Sequence, residues 1–182
     1  MKYIYFLIFL TGSSFTFGQS NTSSPYSIGG LGELAFKGND INRHMGGLDI
    51  YSDSLHANLN NPASFGDLKL VTYSLGLNYK STQLSSNKTN ETIASASLDY
   101  FIVAIPTNKF TFGFGILPAT SVGYRLQSVI QGDDINNVVN QNEGSGGLNQ
   151  TFFTVGFKVF SFLNFGVSAN YNFGKIKNES SR

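Results

Sequence analysis

The run Val71-Thr72-Tyr73-Ser74-Leu75-Gly76-Leu77-Asn78-Tyr79 alternates large apolar residues with small or polar ones. Successive side chains of a β-strand point to opposite faces, so this run has one apolar face and one polar face. Such a pattern predicts a strand whose two faces meet different environments. The same alternation returns in four later segments, which makes it the dominant pattern of the chain.

On one face of each of the five segments every residue is apolar except Thr151. These positions are Val71, Tyr73, Leu75, Leu77, Tyr79, Ala94, Ala96, Leu98, Tyr100, Ile102, Ala104, Phe110, Phe112, Phe114, Ile116, Thr151, Phe153, Val155, Phe157, Val159, Leu163, Phe165, Val167, Ala169, Tyr171 and Phe173. Five consecutive segments of this kind predict an all-β fold built as an antiparallel up-and-down sheet. Tyr79, Tyr100 and Tyr171 are also candidates for an aromatic girdle at a membrane surface.

The charges favour a sheet in a membrane over a soluble one. Lys80, Asp99 and Lys158 fall on the polar faces, and Lys69, which has the other parity, stands at a strand end. A charge facing lipid at mid-bilayer costs roughly 2–4 kcal/mol, which explains this placement. A half-buried soluble sheet also alternates. Such a sheet would carry many charges on its wet face, however, and only 13% of this chain is charged. We therefore predict a transmembrane antiparallel up-and-down β-barrel.

The N-terminus predicts export. Lys2 is followed by an apolar stretch at residues 3–10 and by a plausible cleavage site at residues 16–18. These features are typical of a secretory signal peptide, which we assign to residues 1–18. The apolar stretch is too short to cross a bilayer as a helix, which needs about 20 residues. Together with the barrel-type strands, this predicts the outer membrane of a Gram-negative cell.

The remainder divides into two parts. Residues 19–66 do not alternate and are either a disordered leader or a plug inside the barrel. Their apolar side chains favour the plug. Residues 67–182 hold five strands, which cannot close a barrel, because bacterial single-chain barrels have an even number of strands, at least eight. The chain is therefore expected to be the N-terminal portion of a longer protein, and closure by several short chains is the alternative.

Connections between the strands alternate in length, as in outer-membrane barrels. Residues 106–109 and 160–162 predict tight turns, whereas residues 81–91 and residues 125 to about 150 predict long loops. Within the second loop, Ile135, Val138 and Val139 have helical spacing, which predicts a short surface helix.

Several short motifs occur in a characteristic order. The run Arg43-His44-Met45-Gly46-Gly47-Leu48 is followed by Asp53 and by Asn61-Pro62-Ala63, just before the first strand. Later come Leu98-Asp99-Tyr100, Ala104-Ile105-Pro106, Phe112-Gly113-Phe114-Gly115 and Ser121-Val122-Gly123-Tyr124. In this order the motifs resemble the FadL/TodX family of outer-membrane transport proteins, in the form found in Bacteroidetes. The resemblance covers residues 24–124 by motif and the rest by pattern.

The resemblance implies a barrel whose N-terminal plug gates passive uptake of hydrophobic solutes, such as long-chain fatty acids or hydrocarbons. It implies that Gly46 and Gly47 belong to the plug and that Asn61, Pro62 and Ala63 shape it where it meets the wall. Some FadL-like barrels instead serve as carrier components of the type IX secretion machinery. The alternative function is therefore a scaffold or carrier in protein secretion, with secretion-machinery proteins as partners beside the outer-membrane lipid.

Five residues of the strands are candidates for a ligand path. By alternation, Phe101, Val103 and Phe152 are apolar residues on the inner, polar face, where they either line a hydrophobic path or contact the plug. Gly113 and Gly115 lie within a strand, where glycine marks either a kink or a place where another segment comes close. We regard close approach of the plug as the better explanation for these two glycines.

Other functions find little support. There are two histidines, His44 and His56, and no cysteine, so a metal site is not expected. No arrangement of a nucleophile with a base is evident, and we predict neither catalysis nor a cofactor. A net charge of +1 gives no electrostatic basis for binding nucleic acid.

Overall fold

The structure is a computed structural model that describes residues 24–85, 90–130 and 138–181. The predicted signal peptide and Ile135 lie outside these residues. The strands are β1 (Glu33–Leu34), β2 (Thr72–Ser85), β3 (Asn90–Pro106), β4 (Phe110–Ile130), β5 (Val138–Phe160) and β6 (Leu163–Ser181). In the described residues before the long strands there are one α-helix, α1 (Asp40–His44), and two 3₁₀-helices, Pro25–Ser27 and Pro62–Asp67. None of the helices in the described ranges is long and apolar enough to cross a membrane.

Strands β2 to β6 form one sheet in chain order, and each strand is antiparallel to its neighbours. This confirms the predicted antiparallel all-β fold. Over the described residues the sheet is open, and it does not close into a barrel. The short strand β1 pairs with β4. The two predicted tight turns are present, because β3 is joined to β4, and β5 to β6, by two or three residues.

The strands are longer than the alternation predicts. β4 and β5 continue through most of the region that we expected to be a loop, residues 125 to about 150. Val138 and Val139 lie in β5, paired with Ile130 and Val129, so the helix predicted for them is wrong. Helical spacing over a few residues is weak evidence, and cross-strand pairing overrides it.

The outer face of the sheet, on the side away from the N-terminal segment, is apolar and exposed. Tyr73, Leu77, Val167 and Tyr171 are each more than two-thirds exposed, in agreement with the predicted parity of β2 and β6. Phe110, Phe112, Phe114 and Phe153 are also exposed. Rings from neighbouring strands meet on this face, and those of Phe157 and Phe165 stack at 6.0 Å.

Strand β3 departs from the prediction because it contains a β-bulge. Leu98 pairs with Leu77 and Tyr100 pairs with Gly76, the next residue of β2. Asp99 is therefore an extra residue without a partner on β2. An extra residue shifts the alternation by one position for the rest of the strand. Tyr100, which the alternation predicts as an outward-facing girdle residue, is therefore buried, with 3% of its surface exposed.

Residues 24–71, here called the N-terminal segment, cover the inner face of the sheet. The core lies between the two and consists of Ala57, Phe65, Leu68, Tyr100, Ile102, Ala104, Leu117 and Phe152. Ile102 and Ala104 belong to this core, although the alternation predicts them outside, because the bulge precedes them. Burying a phenylalanine side chain stabilises a fold by about 1.5–3 kcal/mol, so Phe65 and Phe152 contribute substantially to holding the segment in place.

Candidate functional site: the docking site of the N-terminal segment

The 3₁₀-helix Pro62–Asp67 is the part of the N-terminal segment that docks on β4, β5 and β6. Asn61 precedes it in an extended conformation, and its side chain accepts a hydrogen bond from the backbone N–H of Ala63 at 3.2 Å. Pro62 occupies the first helical position, where its fixed φ suits the turn and its missing N–H is not needed. The Ser64 hydroxyl donates to the carbonyl of Asn61 at 2.7 Å. The Asn-Pro-Ala motif thus forms a compact turn through local interactions.

Three glycines of the sheet, Gly113, Gly156 and Gly166, form the surface on which this turn lies; we call them the glycine lane. A Cβ atom at Gly156 would lie 2.6 Å from Cβ of Phe65 and 2.7 Å from the carbonyl oxygen of Pro62. A Cβ at Gly113 would collide with the Phe65 ring, and one at Gly166 with the backbone of Pro62. The turn can approach the sheet this closely because the lane has no side chains.

The ladders that join β4 to its neighbours run through Gly113 and Gly115 without a change of register. The alternative of a kinked strand at these glycines is therefore not observed. Gly113 lies against Phe65, which is the arrangement expected if glycine makes room for the N-terminal segment. Gly115 lies beside Phe152, whose ring would come within 2.8 Å of an added Cβ.

Phe152 is on the inner face, as predicted, and 6% exposed. Phe101 and Val103 do not lie on the inner face. They pair with Leu75 and Tyr73 on the outer face, and Phe101 is 39% exposed. The inward facing predicted for these two residues is wrong, because the bulge at Asp99 reverses the parity of β3 beyond it.

Gly46 and Gly47 end helix α1 and take no part in the glycine lane. Both have positive φ, 71° and 86°, a conformation that glycine adopts without strain. The N–H of Gly47 donates to the carbonyl of Asn42 at 2.6 Å, which satisfies one of the free carbonyls at the helix end. The structure therefore separates these glycines from the Asn-Pro-Ala turn.

Asp67, the last residue of the 3₁₀-helix, ties the turn to the hairpin of β5 and β6. It accepts hydrogen bonds from Lys158 at 2.8 Å, from Asn164 at 2.6 Å and from the hydroxyl of Ser52. Desolvation raises the pKa of Asp67, but these hydrogen bonds and the charge of Lys158 outweigh it, so the pKa lies below its ordinary value. The carboxylate is therefore ionised at neutral pH.

Asp99 ties the middle of the segment, at helix α1, to the sheet. Its carboxylate forms an ion pair with Arg43, and the side chain of Asp99 is only 11% exposed. The guanidinium of Arg43 also lies over the ring of Phe36, 4.9 Å from its centroid. Beside the bulge, the hydroxyl of Tyr100 accepts a hydrogen bond from the backbone N–H of Asp40 at 3.4 Å. The bulge thus turns both Asp99 and Tyr100 towards the N-terminal segment.

A tight loop around Asp53 orders the stretch between α1 and the 3₁₀-helix. Its carboxylate accepts hydrogen bonds from the Tyr51 hydroxyl, the His56 ring and the backbone N–H groups of Leu55 and His56. Burial works to raise the pKa of Asp53, but the hydrogen bonds outweigh it and hold the pKa well below its ordinary value. These contacts hold residues 51–56 together as one turn.

Sequence reasoning missed Phe65, Asp67 and the two later glycines of the lane. A signal was available for the glycines, since Gly156 and Gly166 both have inward parity on successive strands. A row of glycines on the inner parity indicates a surface that another segment can approach closely. Nothing local singles out Asp67, whose partners Lys158 and Asn164 lie 91 and 97 residues away in sequence.

Comparison with known proteins corrects the family assignment. The family model described as BamG matches residues 1–182, the whole chain. No curated protein and no solved structure matches the chain. The BamG family is associated with the outer membrane of Gram-negative bacteria, in agreement with the predicted location. The match supports neither a fatty-acid channel nor hydrophobic small molecules as partners.

The assignment to FadL/TodX is therefore wrong. One of the motifs that suggested it, Asn61-Pro62-Ala63, begins a turn whose own hydrogen bonds are local, from Ala63 N–H and from the Ser64 hydroxyl to Asn61. Any plugged sheet can use such a turn, so the motif does not identify a family. The match over its full length shows that the chain belongs to the BamG family, which is named for the BAM outer-membrane complex.

Proposed function

We propose that this chain forms part of the wall of an outer-membrane β-barrel and acts as a scaffold component in the assembly of outer-membrane proteins. Its outer face supports the first half of this proposal. On β6 the apolar side chains run from Leu163 to Phe173, and Lys175, Lys177 and Glu179 follow with the same parity. At about 3.4 Å per residue and a tilt of about 40°, the apolar part is roughly 26 Å tall, close to the height of a bilayer-facing band.

The filled inner face carries the second half. Phe65 is 1% exposed in the glycine lane, and two ion pairs tie the segment to the sheet, Asp67 with Lys158 and Arg43 with Asp99. A wall whose interior is packed and tied in this way is suited to presenting a stable surface to partner proteins. We propose residues 1–18 as the signal peptide and residues 19–66 as the plug of this barrel. No catalytic step is part of the proposed role.

The test is to deplete the protein in its native cell and to follow the folding of other outer-membrane barrels. Folded barrels resist SDS at room temperature and migrate differently after boiling, so gel mobility measures the folded fraction. We expect this fraction to fall while the amount of an outer-membrane lipoprotein, the control, stays unchanged. The tagged full-length protein should also co-purify with the BAM complex. An unchanged folded fraction, with no co-purification, would exclude the proposed role.

A further inference from the structure

Strands β3 and β4 are neighbours along only part of their length. They pair from Phe101 with Ile116 down to Pro106 with Thr111, next to the tight turn. On the side of the Phe101–Ile116 pair that is away from the turn, residues 90–100 of β3 and residues 117–130 of β4 do not pair with each other. We call the opening between these two stretches the split.

The β4 side of the split is already occupied by an extended segment. β1 pairs with Thr120 and Ser121 of β4. Next to it, the backbone N–H of Ala35 donates to the carbonyl of Ala119 at 3.0 Å. The split is therefore wide enough to admit a strand, and the N-terminal segment demonstrates how such a strand pairs.

The β3 side has no such partner among the described residues. On its other edge this part of β3 pairs with the apolar part of β2, since Leu98 lies opposite Leu77 and Ala96 opposite Tyr79. The free edge from Ala96 to Leu98 thus lies at the level of exposed apolar side chains of β2, and residues 92–95 lie opposite the polar residues 80–83. Unpaired backbone N–H and C=O groups at that depth of a bilayer are unfavourable by several kcal/mol each. Some hydrogen-bonding group must cover them.

A cleft of about 270 Å³ runs between this edge and β1. Ser95 and Ser97 of β3 line one side, and Leu34 and Phe36 line the other. Lys80 of β2, the neighbour of Ser95, forms an ion pair with Glu33 of β1 at 3.2 Å across the cleft. Small hydroxyl side chains on the β3 side leave its backbone accessible from the cleft.

We propose that residues 92–98 of β3 accept an extended segment of another polypeptide as an added strand within the split. Lipid tails cannot pair with backbone N–H groups, whereas a strand pairs with all of them. The N-terminal segment of the chain itself pairs with β4 and then turns away into α1, so its described residues do not reach this edge. The inference rests on the proposed function, because a component of protein assembly meets extended polypeptides.

Hydrogen–deuterium exchange of the full-length protein in lipid nanodiscs tests the backbone pairing. Alternate N–H groups of a strand point to opposite edges, so about half of the amides in residues 90–100 have no backbone partner among the described residues. We expect these amides to exchange roughly tenfold or more faster than those of residues 151–157, which pair with β4 on one side and with β6 on the other. In the co-purified BAM complex they should become protected. Protection already present in the isolated protein, or no protection in the intact complex, would overturn the proposal.

Cross-linking from single-cysteine variants identifies the occupant, and residues 1–182 contain no cysteine that would compete. In the same complex, Ser97→Cys should cross-link to an extended segment of another chain, and Asn170→Cys, on the inner face of β6, should not. A cross-link from Ser97→Cys only to residues of this chain would refute the proposal. If no complex forms at all, the proposed function fails. A complex that forms without protection or cross-linking at β3 leaves that function standing and removes only this site.

Discussion

At the scale of single residues, the three glycines of the lane determine where the N-terminal segment binds, because they carry no side chain. The turn Pro62–Asp67 lies directly on the backbone of β5 and β6, at a distance that no side chain would allow. A methyl group at Gly156 would meet both Phe65 and Pro62. Phe65 is buried in the core, and Pro62 is fixed at the start of the 3₁₀-helix. Neither can move away without disturbing the core.

We therefore expect Gly156→Ala to lower the free energy of unfolding by about 1–3 kcal/mol, the usual effect of overpacking. The measurement is the urea midpoint in detergent, followed by gel mobility. Ala169→Val, which enlarges an exposed residue on the outer face of the next strand, is the matched control and should leave the midpoint unchanged. Equal midpoints for Gly156→Ala and wild type would show that the turn does not bind on the lane.

The carboxylate of Asp67 gives the docked segment a dependence on pH. Its pKa in the folded protein is below the ordinary value, so ionisation stabilises the folded state at every pH above about 4, the pKa of an unfolded aspartate. This stabilisation decreases as the pH falls towards the lower pKa of the folded state. Asp67→Asn should abolish that part of the acid sensitivity.

For Asp67→Asn we expect a loss of about 1 kcal/mol at pH 7, because the ion pair with Lys158 is only partly buried. Wild type and variant should converge as the pH falls below about 4. Urea unfolding between pH 3 and pH 7 measures both effects. Lys158→Gln should produce a similar loss at pH 7. A constant difference between wild type and Asp67→Asn at all pH values would contradict the assigned ionisation.

The sequence allowed part of this site to be predicted. Asn61, Pro62 and Ala63 stand out because they interact with their own neighbours, and local interactions leave a local pattern. Phe65 and Asp67 could not be found, because their partners are strand residues that come much later in the chain. Such contacts follow from the register of the sheet, which alternation alone does not specify.

At the scale of elements, alternation predicts strands well but cannot detect a single extra residue. The five long strands are present, and four of them keep the predicted parity throughout the predicted segments. In β3 the bulge at Asp99 exchanges the two faces, so Tyr100 packs over Gly76 on the inside. The physical cause lies in the segment opposite, where Arg43 and Asp40 offer partners to Asp99 and Tyr100.

The adjacent residues Tyr100 and Phe101 allow a direct test of the bulge, because the chain contains no tryptophan. In vesicles with brominated lipids, the fluorescence of Phe101→Trp should be strongly quenched, since this residue is on the outer face. That of Tyr100→Trp, one residue earlier and buried, should not be quenched. Quenching of the second variant alone would restore the regular alternation and disprove the bulge.

At the scale of the whole molecule, the sheet has two zones along its strands. Next to the tight turns its outer face is apolar, and further along β6 the same parity carries Lys175, Lys177 and Glu179. The sequence predicts the first zone, because apolar alternation identifies it. The sequence could not predict that the strands continue into the second zone, because polar residues fall on both faces there. In this zone backbone pairing between strands and cross-strand pairs such as Arg125 with Glu143 hold the sheet together.

The boundary between the zones can be located with nitroxide labels on single cysteines. A label at Val167→Cys should collide frequently with oxygen, which concentrates in lipid, and rarely with a water-soluble nickel chelate. A label at Lys177→Cys should show the reverse. Power saturation of the spectra in vesicles measures both. If the chelate reached both labels equally, the apolar zone would not be in a bilayer.

The position of the glycine lane has a consequence for the order in which the molecule forms. The N-terminal segment is synthesised first, yet the surface beneath Pro62 and Phe65 is complete only when Gly166 of the last described strand has joined the sheet. Hairpins between successive strands need only nearby residues and can form quickly, whereas this contact waits for the whole sheet. This early part of the polypeptide thus reaches its final place only after β6 has joined the sheet, and until then its apolar residues require protection.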